Sequence, residues 1–173
     1  GDVYKRQTWK HFSEALGVTI DPTQAPILSA LLQRAGEDRS VVGVAKTYWG
    51  TQRPYIGKPD APICEAKSDH LAGNPDYPSG HSAFGMHVAM ILAELAPSRA
   101  DALYARGRDY AESRWVCGSH SVSATEAGMQ SGATIYGAEH VSPYFRRDME
   151  AARAELDAIL SQGGAKSASP ARP

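Results

Sequence analysis

Three short clusters in this sequence contain side chains that could bind an anionic group and transfer it. The first contains Lys46 and Arg53; Arg offers phosphate oxygens a planar fork and Lys a point charge. The second is Pro78-Ser79-Gly80-His81, and the third is Ser113-Arg114 followed six residues after the arginine by His120. Taken alone, each is better explained by surface charges, a Pro-Gly turn or a connection between helices. Their combination is what carries a functional prediction.

The second and third clusters contain the groups that phosphoryl transfer needs. The tetrapeptide of residues 78–81 lies at the start of a strongly apolar helical segment, and a helix start offers unpaired N–H groups and a partial positive charge to an anion. Gly80 has no Cβ, so a ligand could approach the backbone there. His81 could protonate a leaving oxygen, and a neutral His120 beside fixed cations could attack a phosphorus atom.

Together the three clusters resemble the signature of the type 2 phosphatidic acid phosphatase superfamily, which includes the class A bacterial acid phosphatases and the vanadium haloperoxidases. That signature is Lys, six residues and Arg-Pro, then Pro-Ser-Gly-His, then Ser-Arg, five residues and His, and the sequence contains all three blocks in that order. Residues 12–20 and 112–128 are also similar to the soluble class A enzymes. The resemblance covers roughly Trp9 to Leu160, most of the chain.

The resemblance implies a role for each motif residue. His120 would be the nucleophile that forms a phosphohistidine, and His81 the general acid that protonates the leaving alcohol. The expected activity is hydrolysis of a small-molecule phosphate monoester at acidic pH, without a cofactor. We find no spacing typical of metal ligands, since Asp69 and His70 are better explained as solvated loop residues. The phosphoryl oxygens would be held by Lys46, Arg53, Ser79, Gly80 and Arg114.

One position departs from the family pattern. The third block usually continues through three residues to an Asp that accepts a hydrogen bond from the nucleophilic imidazole and stabilises its charged form. Here that position is Ala124. We therefore expect slow hydrolysis and expect Ala124→Asp to raise turnover. Two alternatives stay open, a catalytically impaired phosphate-binding protein and, less favoured, a vanadate-dependent haloperoxidase.

Two cysteines, Cys64 and Cys117, allow one disulfide or two free thiols. Neither composition nor spacing decides between them. Class A relatives have cysteines near both positions that can pair, so the resemblance favours a Cys64–Cys117 disulfide. It also implies a periplasmic or secreted location, where such a bond forms.

The elements that position these clusters are predicted to be helices, because apolar residues recur at helical spacing and alternating β-type runs are absent. We predict an all-α, single-domain helical bundle of the acid phosphatase and haloperoxidase type. The irregular segment from Gln52 to Ser79 is rich in Pro, Gly and Asp and is predicted to be a long loop near the site. A first helix is predicted after Asp21 or Thr23, with Ile27, Leu28, Leu31 and Leu32 on one face, and a second over Val41–Trp49. Two more are predicted from about Ser82 to Leu95 and from an N-cap at Ser98. The last two are predicted from a capping box of Ser123 and Glu126 to about His140, and from Ser142-Pro143 with Phe145, Met149, Ala152, Leu156 and Ile159 facing inward.

Size and charge limit the remaining possibilities. The chain has 173 residues, enough for one domain, and its formal net charge of -1 gives no general attraction to nucleic acid or anionic membranes. The longest apolar stretch, Met86–Ala96, is far shorter than the roughly 20 residues of a membrane span. We expect residues 1–7 to be a remnant of truncation with the relatives' N-terminal helices missing, residues 8–160 to form the domain and residues 161–173 to be a disordered tail. The sequence leaves homo-oligomerisation open.

Overall fold

Helices are the regular elements of this computed structural model, which describes residues 11–37 and 40–167. No β-strand occurs in those two ranges, so the expected all-α fold is confirmed. Residues 1–7 and 168–173, which we assigned to a remnant and to part of a tail, lie outside them. The helices are α1 (residues 11–16), α2 (Pro26–Glu37), α3 (Ser40–Trp49), α4 (Asp69–Ala72), α5 (Gly80–Leu95), α6 (Ala100–Val116), α7 (Val122–Glu139) and α8 (Pro143–Ser167).

Helix α5 is the centre of the fold. It packs against α6 and α7 along its length and also contacts α2 and α8. Two glycines let α7 approach very closely. A Cβ on Gly132 would lie 2.2 Å from the carbonyl oxygen of Ala83, and one on Gly128 would lie 2.4 Å from that of Ser79. The backbones of α5 and α7 are therefore nearly in direct contact, which fixes the start of α5 against the start of α7.

The apolar core lies between α1, α2, α5 and α8. The expected inward face of α8 is confirmed, with four of its five residues buried and Ile159 packed partly exposed against the core. On α2 the expected face is narrower, because Ile27 is 37% exposed at the helix start. The buried residues of these two helices that we had placed inside are Leu28, Leu31, Leu32, Phe145, Met149, Ala152 and Leu156.

One predicted helix cap is confirmed, and the structure adds a cap that we had not predicted. The Ser142 hydroxyl accepts a hydrogen bond from the Phe145 N–H at 3.4 Å, with Pro143 as the first helical residue. The cap that we had not predicted is Ser79, whose hydroxyl accepts from the Ser82 N–H at 3.3 Å, so α5 begins two residues earlier than expected. The tetrapeptide of residues 78–81 therefore lies at a helix start, as expected.

The predicted caps at Ser98 and Ser123 were wrong. Ser98 lies inside a 3₁₀ turn over Pro97–Arg99, because Pro97 starts a turn one residue too early for Ser98 to cap α6. Ser123 lies inside the first turn of α7, because the Ser121 hydroxyl accepts from the Ala124 N–H at 3.1 Å and begins the helix sooner. A local sequence rule cannot choose between two serines that could each cap the same helix.

A distant residue caps α2. The Asp21 carboxylate accepts from the N–H and hydroxyl of Thr23, both at 2.8 Å, and so forms a turn ahead of the helix instead of capping it. The free N–H groups of Ile27 and Leu28 donate instead to the carboxylate of Glu155 on α8, at 3.1 and 2.9 Å. This pairing joins the first and last parts of the core.

The long segment of residues 52–79 is irregular apart from turns and the single turn of α4, as predicted. At the other end of the chain α8 continues to Ser167, so the predicted tail is helical over residues 161–167. Within the described ranges, no helix is both long and apolar enough to span a bilayer.

The close approach of α7 to α5 predicts that Gly132→Ala destabilises the fold. Its Cβ would lie against backbone atoms of α5 that cannot move independently, so we expect a loss of about 1–3 kcal/mol. Gly137→Ala is the matched control, because it lies on the same helix with nothing within 4 Å of the new Cβ; it should gain up to about 1 kcal/mol. Thermal unfolding followed by circular dichroism measures both. Equal midpoints for the two variants would contradict the packing argument.

Candidate active site

The start of α5 forms one wall of the site. Ser79 is fully buried, and its N–H donates to the carbonyl oxygen of Ala124 at 2.8 Å. Its hydroxyl also receives a hydrogen bond from the Ser82 hydroxyl at 2.9 Å. His81 follows on the first turn and is partly buried. The helix start is thus anchored to the first turn of α7, and the ring that we expected to act as an acid is carried by a rigid element.

His120 is 3% exposed and lies in the short connection between α6 and α7. Its Nδ1 is 2.8 Å from Asp76 Oδ1, and its Nε2 is 3.2 Å from Arg53 Nη1. An ionised carboxylate only accepts hydrogen bonds and a guanidinium only donates them. The proton is therefore on Nδ1, and the lone pair of Nε2 faces the guanidinium of Arg53. This is the tautomer that a nucleophilic Nε2 requires.

Asp76 is a residue of the site that the sequence analysis missed. Besides the imidazole of His120, its carboxylate accepts from the Ser121 N–H at 3.1 Å and from the Ser121 hydroxyl at 2.6 Å. Its own N–H donates to the carbonyl oxygen of Thr51 at 2.8 Å. Burial raises the pKa of Asp76, but the hydrogen bonds from His120 and Ser121 outweigh burial and hold it below the ordinary carboxyl value.

The first motif binds the loop that carries Asp76. Arg53, which is 4% exposed, donates from Nε to the carbonyl oxygen of Asn74 at 2.8 Å and from Nη1 to that of Ser119 at 2.9 Å. Lys46 Nζ donates to the carbonyl oxygen of Pro75. These two cations therefore fix the backbone on the N-terminal side of Asp76, while their charges remain beside His120 and act on its pKa.

Arg114 completes the set of cations. It donates from Nη2 to Oε1 of Glu65, another residue that the sequence analysis missed. Arg114 Nε is buried and has no hydrogen-bond partner among the described residues. A buried donor without a partner is costly in a folded protein and marks a place where an acceptor can bind. The charge of Arg114, after burial, also lowers the pKa of His81.

The electrostatics of the site favour neutral histidines. Burial, followed by the charges of Arg114 and His120, lowers the pKa of His81 to about 4. Burial also lowers the pKa of His120, and the cations Arg53 and Lys46 add to the effect, while the hydrogen bond to Asp76 opposes it. Both rings are therefore neutral at neutral pH, and the unprotonated Nε2 of His120 accepts a hydrogen bond from Arg53.

The two cysteines are neighbours with free thiols in this structure. The Cys64 N–H lies 3.0 Å from Cys117 Sγ and 3.2 Å from the Cys117 carbonyl oxygen, so the loop before Glu65 is held against the end of α6. Gly118 has a φ of +77°, and a Cβ there would lie 2.8 Å from the Pro62 carbonyl oxygen. The two residues of the predicted disulfide are thus brought together as thiols, and the bond between them stays a prediction.

The structure thus gathers side chains from three distant segments of the sequence into one site. Two of these side chains, Asp76 and Glu65, were not expected, because they lie next to the motif residues only in the folded chain. The position of Asp76 just before the second motif is only a weak indication that it belongs to the site, because the sequence does not give the path of the loop that carries it. The predicted residues found together are Lys46, Arg53, Ser79, Gly80, His81, Arg114 and His120.

Comparisons with known proteins match the same region. A family model described as the PAP2 superfamily matches residues 27–148, which include all three motifs. An acid phosphatase of Zymomonas mobilis is 39% identical over 158 residues, which are 90% of this chain and 60% of that protein. Non-specific acid phosphatases of Salmonella typhimurium and Providencia stuartii are 31% and 32% identical, over 90% and 84% of this chain and 63% and 59% of their own lengths. The chain thus spans about three fifths of these relatives.

The position of Lys46 between opposite charges gives a direct test of the site geometry. Burial, followed by the charge of Arg53, lowers the pKa of Lys46 to about 8, and Asp76 partly opposes this. We expect Arg53→Gln to raise the pKa of Lys46 and Asp76→Asn to lower it further. Carbon NMR of reductively methylated lysines, followed against pH, measures the change, with near-ultraviolet circular dichroism as the control for folding. Shifts of the same sign in both variants would contradict the arrangement.

Proposed function

Since the chain belongs to the PAP2 superfamily, we propose that it hydrolyses small-molecule phosphate monoesters with His120 as the nucleophile. The observation that carries this proposal is the state of His120, a buried imidazole with its Nε2 lone pair beside the guanidinium of Arg53. The relatives named acid phosphatase support the same activity.

The proposed binding mode places the phosphoryl group among the three cations. Lys46, Arg53 and Arg114 hold its oxygens, and the unpartnered Nε of Arg114 supplies one donor. The start of α5 contributes the hydroxyl of Ser79 and the N–H of Gly80 at the positive end of the helix. Binding is expected to displace the hydrogen bond between Arg53 and His120, because the phosphoryl oxygens accept from the guanidinium and free Nε2 for attack.

The chemical steps follow from the positions of the two histidines. His120 Nε2 attacks phosphorus as the ester P–O bond breaks, and the leaving oxygen takes a proton from His81. The phosphohistidine is then attacked by water, whose proton returns to His81. The P–N bond breaks with its electron pair returning to Nε2, and inorganic phosphate leaves.

His81 has to be protonated before it can act as the acid. Its pKa of about 4 belongs to the site without phosphate, where Arg114 and burial disfavour the charged ring. A phosphate dianion beside it opposes both effects and raises its pKa. We therefore propose that substrate binding is coupled to protonation of His81. Because this proton is taken up from solution, turnover should be faster at acidic pH, in agreement with the acidic activity that the family resemblance implies.

The location and the cysteine pair belong to the same proposal. We infer a periplasmic or secreted enzyme in which Cys64 and Cys117 are oxidised to a disulfide. Their contact through the Cys64 N–H at 3.0 Å from Cys117 Sγ supports the pairing, and the oxidising compartment would supply the oxidant.

Hydrolysis of p-nitrophenyl phosphate with a chelator present, between about pH 4 and about pH 8, tests the activity. We expect turnover, highest on the acidic side, and a loss of at least about 10³-fold in His120→Ala. His70→Ala is the control, because His70 is exposed on α4 and should leave the rate unchanged. No turnover with inorganic phosphate still bound would instead support a phosphate-binding protein. Halide oxidation with added vanadate would support a haloperoxidase.

Alkylation tests the disulfide. After export to an oxidising compartment, we expect neither cysteine to react with iodoacetamide until the protein is reduced, after which both should react. Intact mass spectrometry counts the labels. Two labels without reduction would show that the thiols stay free.

A further inference from the structure

We propose that Asp76 is the residue that positions His120, in the role that the family pattern assigns to an acid at position 124. The inference depends on the proposed function for its catalytic meaning, but its geometric content stands on the contacts of Asp76 alone. It gives the long loop before the second motif a function that nothing in the motif pattern assigns to it.

The contacts of Asp76 are those that orientation of the ring requires. Its Oδ1 lies 2.8 Å from His120 Nδ1, and both groups are buried, with 3% of His120 and 4% of Asp76 exposed. A buried hydrogen bond to a charged carboxylate fixes both the tautomer and the plane of an imidazole. No other carboxylate of the described residues is within hydrogen-bonding distance of His120.

Asp76 is itself held in place from both sides. Ser121 donates to it with both its N–H and its hydroxyl. On the other side the N–H of Asp76 donates to the Thr51 carbonyl oxygen, and the Tyr77 N–H donates to the Thr51 hydroxyl at 3.1 Å. A carboxylate held by so many hydrogen bonds cannot rotate away from the ring without losing several of them.

The residue at position 124 fits this arrangement. Ala124 has no exposed surface, and its carbonyl oxygen accepts from the Ser79 N–H at 2.8 Å, so the loop of residues 76–79 packs directly on the first turn of α7. A second carboxylate from position 124 would enter the same buried region as Asp76. Two carboxylates sharing a buried site repel each other, and one would be forced to take up a proton. An alanine is therefore the compatible residue as long as Asp76 is present.

The proposed role in the reaction is to balance charge. When Nε2 forms the bond to phosphorus and Nδ1 keeps its proton, the imidazole ring becomes positively charged. Asp76, 2.8 Å from Nδ1, stabilises that charge without accepting the proton. The loss of this carboxylate should therefore lower kcat and leave KM nearly unchanged, because the cations that hold the phosphoryl group remain.

The decisive variants are Asp76→Asn and Asp76→Ala, assayed on p-nitrophenyl phosphate. We expect kcat to fall by about 10²–10⁴-fold, by analogy with the aspartate of a serine-protease triad, with KM changed by less than about threefold. Asp60→Asn is the control, because Asp60 is exposed in the same loop and should keep the full rate. A kcat for Asp76→Ala within about threefold of the unmodified protein would overturn the proposal.

Transfer of the carboxylate distinguishes positioning from a structural role. In the Asp76→Ala background, Ala124→Asp should restore kcat by at least about 10-fold, whereas Ala124→Asp alone should not raise turnover, contrary to what the sequence implied. Equal kcat values for Asp76→Ala and for the double variant with Asp76→Ala and Ala124→Asp would overturn the proposal. Ser121→Ala removes a contact of Asp76 and the cap of α7 but leaves the ring contact, so its kcat should fall less than that of Asp76→Asn. An equal fall would overturn it too.

The tautomer of His120 provides a readout that does not depend on turnover. Nitrogen NMR of labelled histidines at neutral pH should place the proton on Nδ1 of His120, and this signature should be lost in Asp76→Ala. If the unmodified protein is inactive but shows the signature and its loss, the proposed function fails and the positioning role of Asp76 stands. If it is active and its Nδ1 is unprotonated, the function stands and the role of Asp76 fails.

Discussion

The site depends on the hydrogen bond between Asp76 and His120, because residues of all three motif segments lie next to this contact. Arg53 and Lys46 bind the carbonyl oxygens directly ahead of Asp76, and the ring of His120 binds its carboxylate. Ser121 then connects the same carboxylate to the start of α7. A buried carboxylate is stable only when its lone pairs are satisfied, so the surrounding donors are required as much by folding as by chemistry.

The charges around this contact bear on the proposed binding of a phosphate dianion. Lys46, Arg53 and Arg114 contribute three positive charges, against two negative charges from Asp76 and Glu65. The net charge of these five side chains is therefore +1. A phosphate dianion would change it to -1, and protonation of His81 would then make the site neutral. Buried sites are most stable near electrical neutrality. The charge balance therefore supports the proposed uptake of a proton by His81 when phosphate binds.

The sequence predicted the parts of the structure that depend on local patterns. The all-α class, the apolar face of α8 and the cap at Ser142 follow from residue spacing over a few turns, whereas the motif residues were assigned through the family resemblance. The failures share a different cause. Asp76, Glu65 and the capping carboxylate of Glu155 act on residues 44, 49 and 127 or more positions away in the chain, and spacing cannot reveal such contacts.

The departure at position 124 bears on our proposal that Asp76 takes the place of the missing motif residue. The imidazole of a nucleophilic Nε2 needs a hydrogen-bond acceptor at Nδ1, which a carboxylate can supply, but the ring does not determine which chain segment provides it. The loop before the second motif passes this side of the ring, and Lys46 and Arg53 hold it there by backbone carbonyl oxygens, which any loop sequence provides. An acid at Asp76 therefore meets the requirement as directly as one at position 124. A missing motif residue is evidence for loss of function only when the structure leaves its place without a substitute.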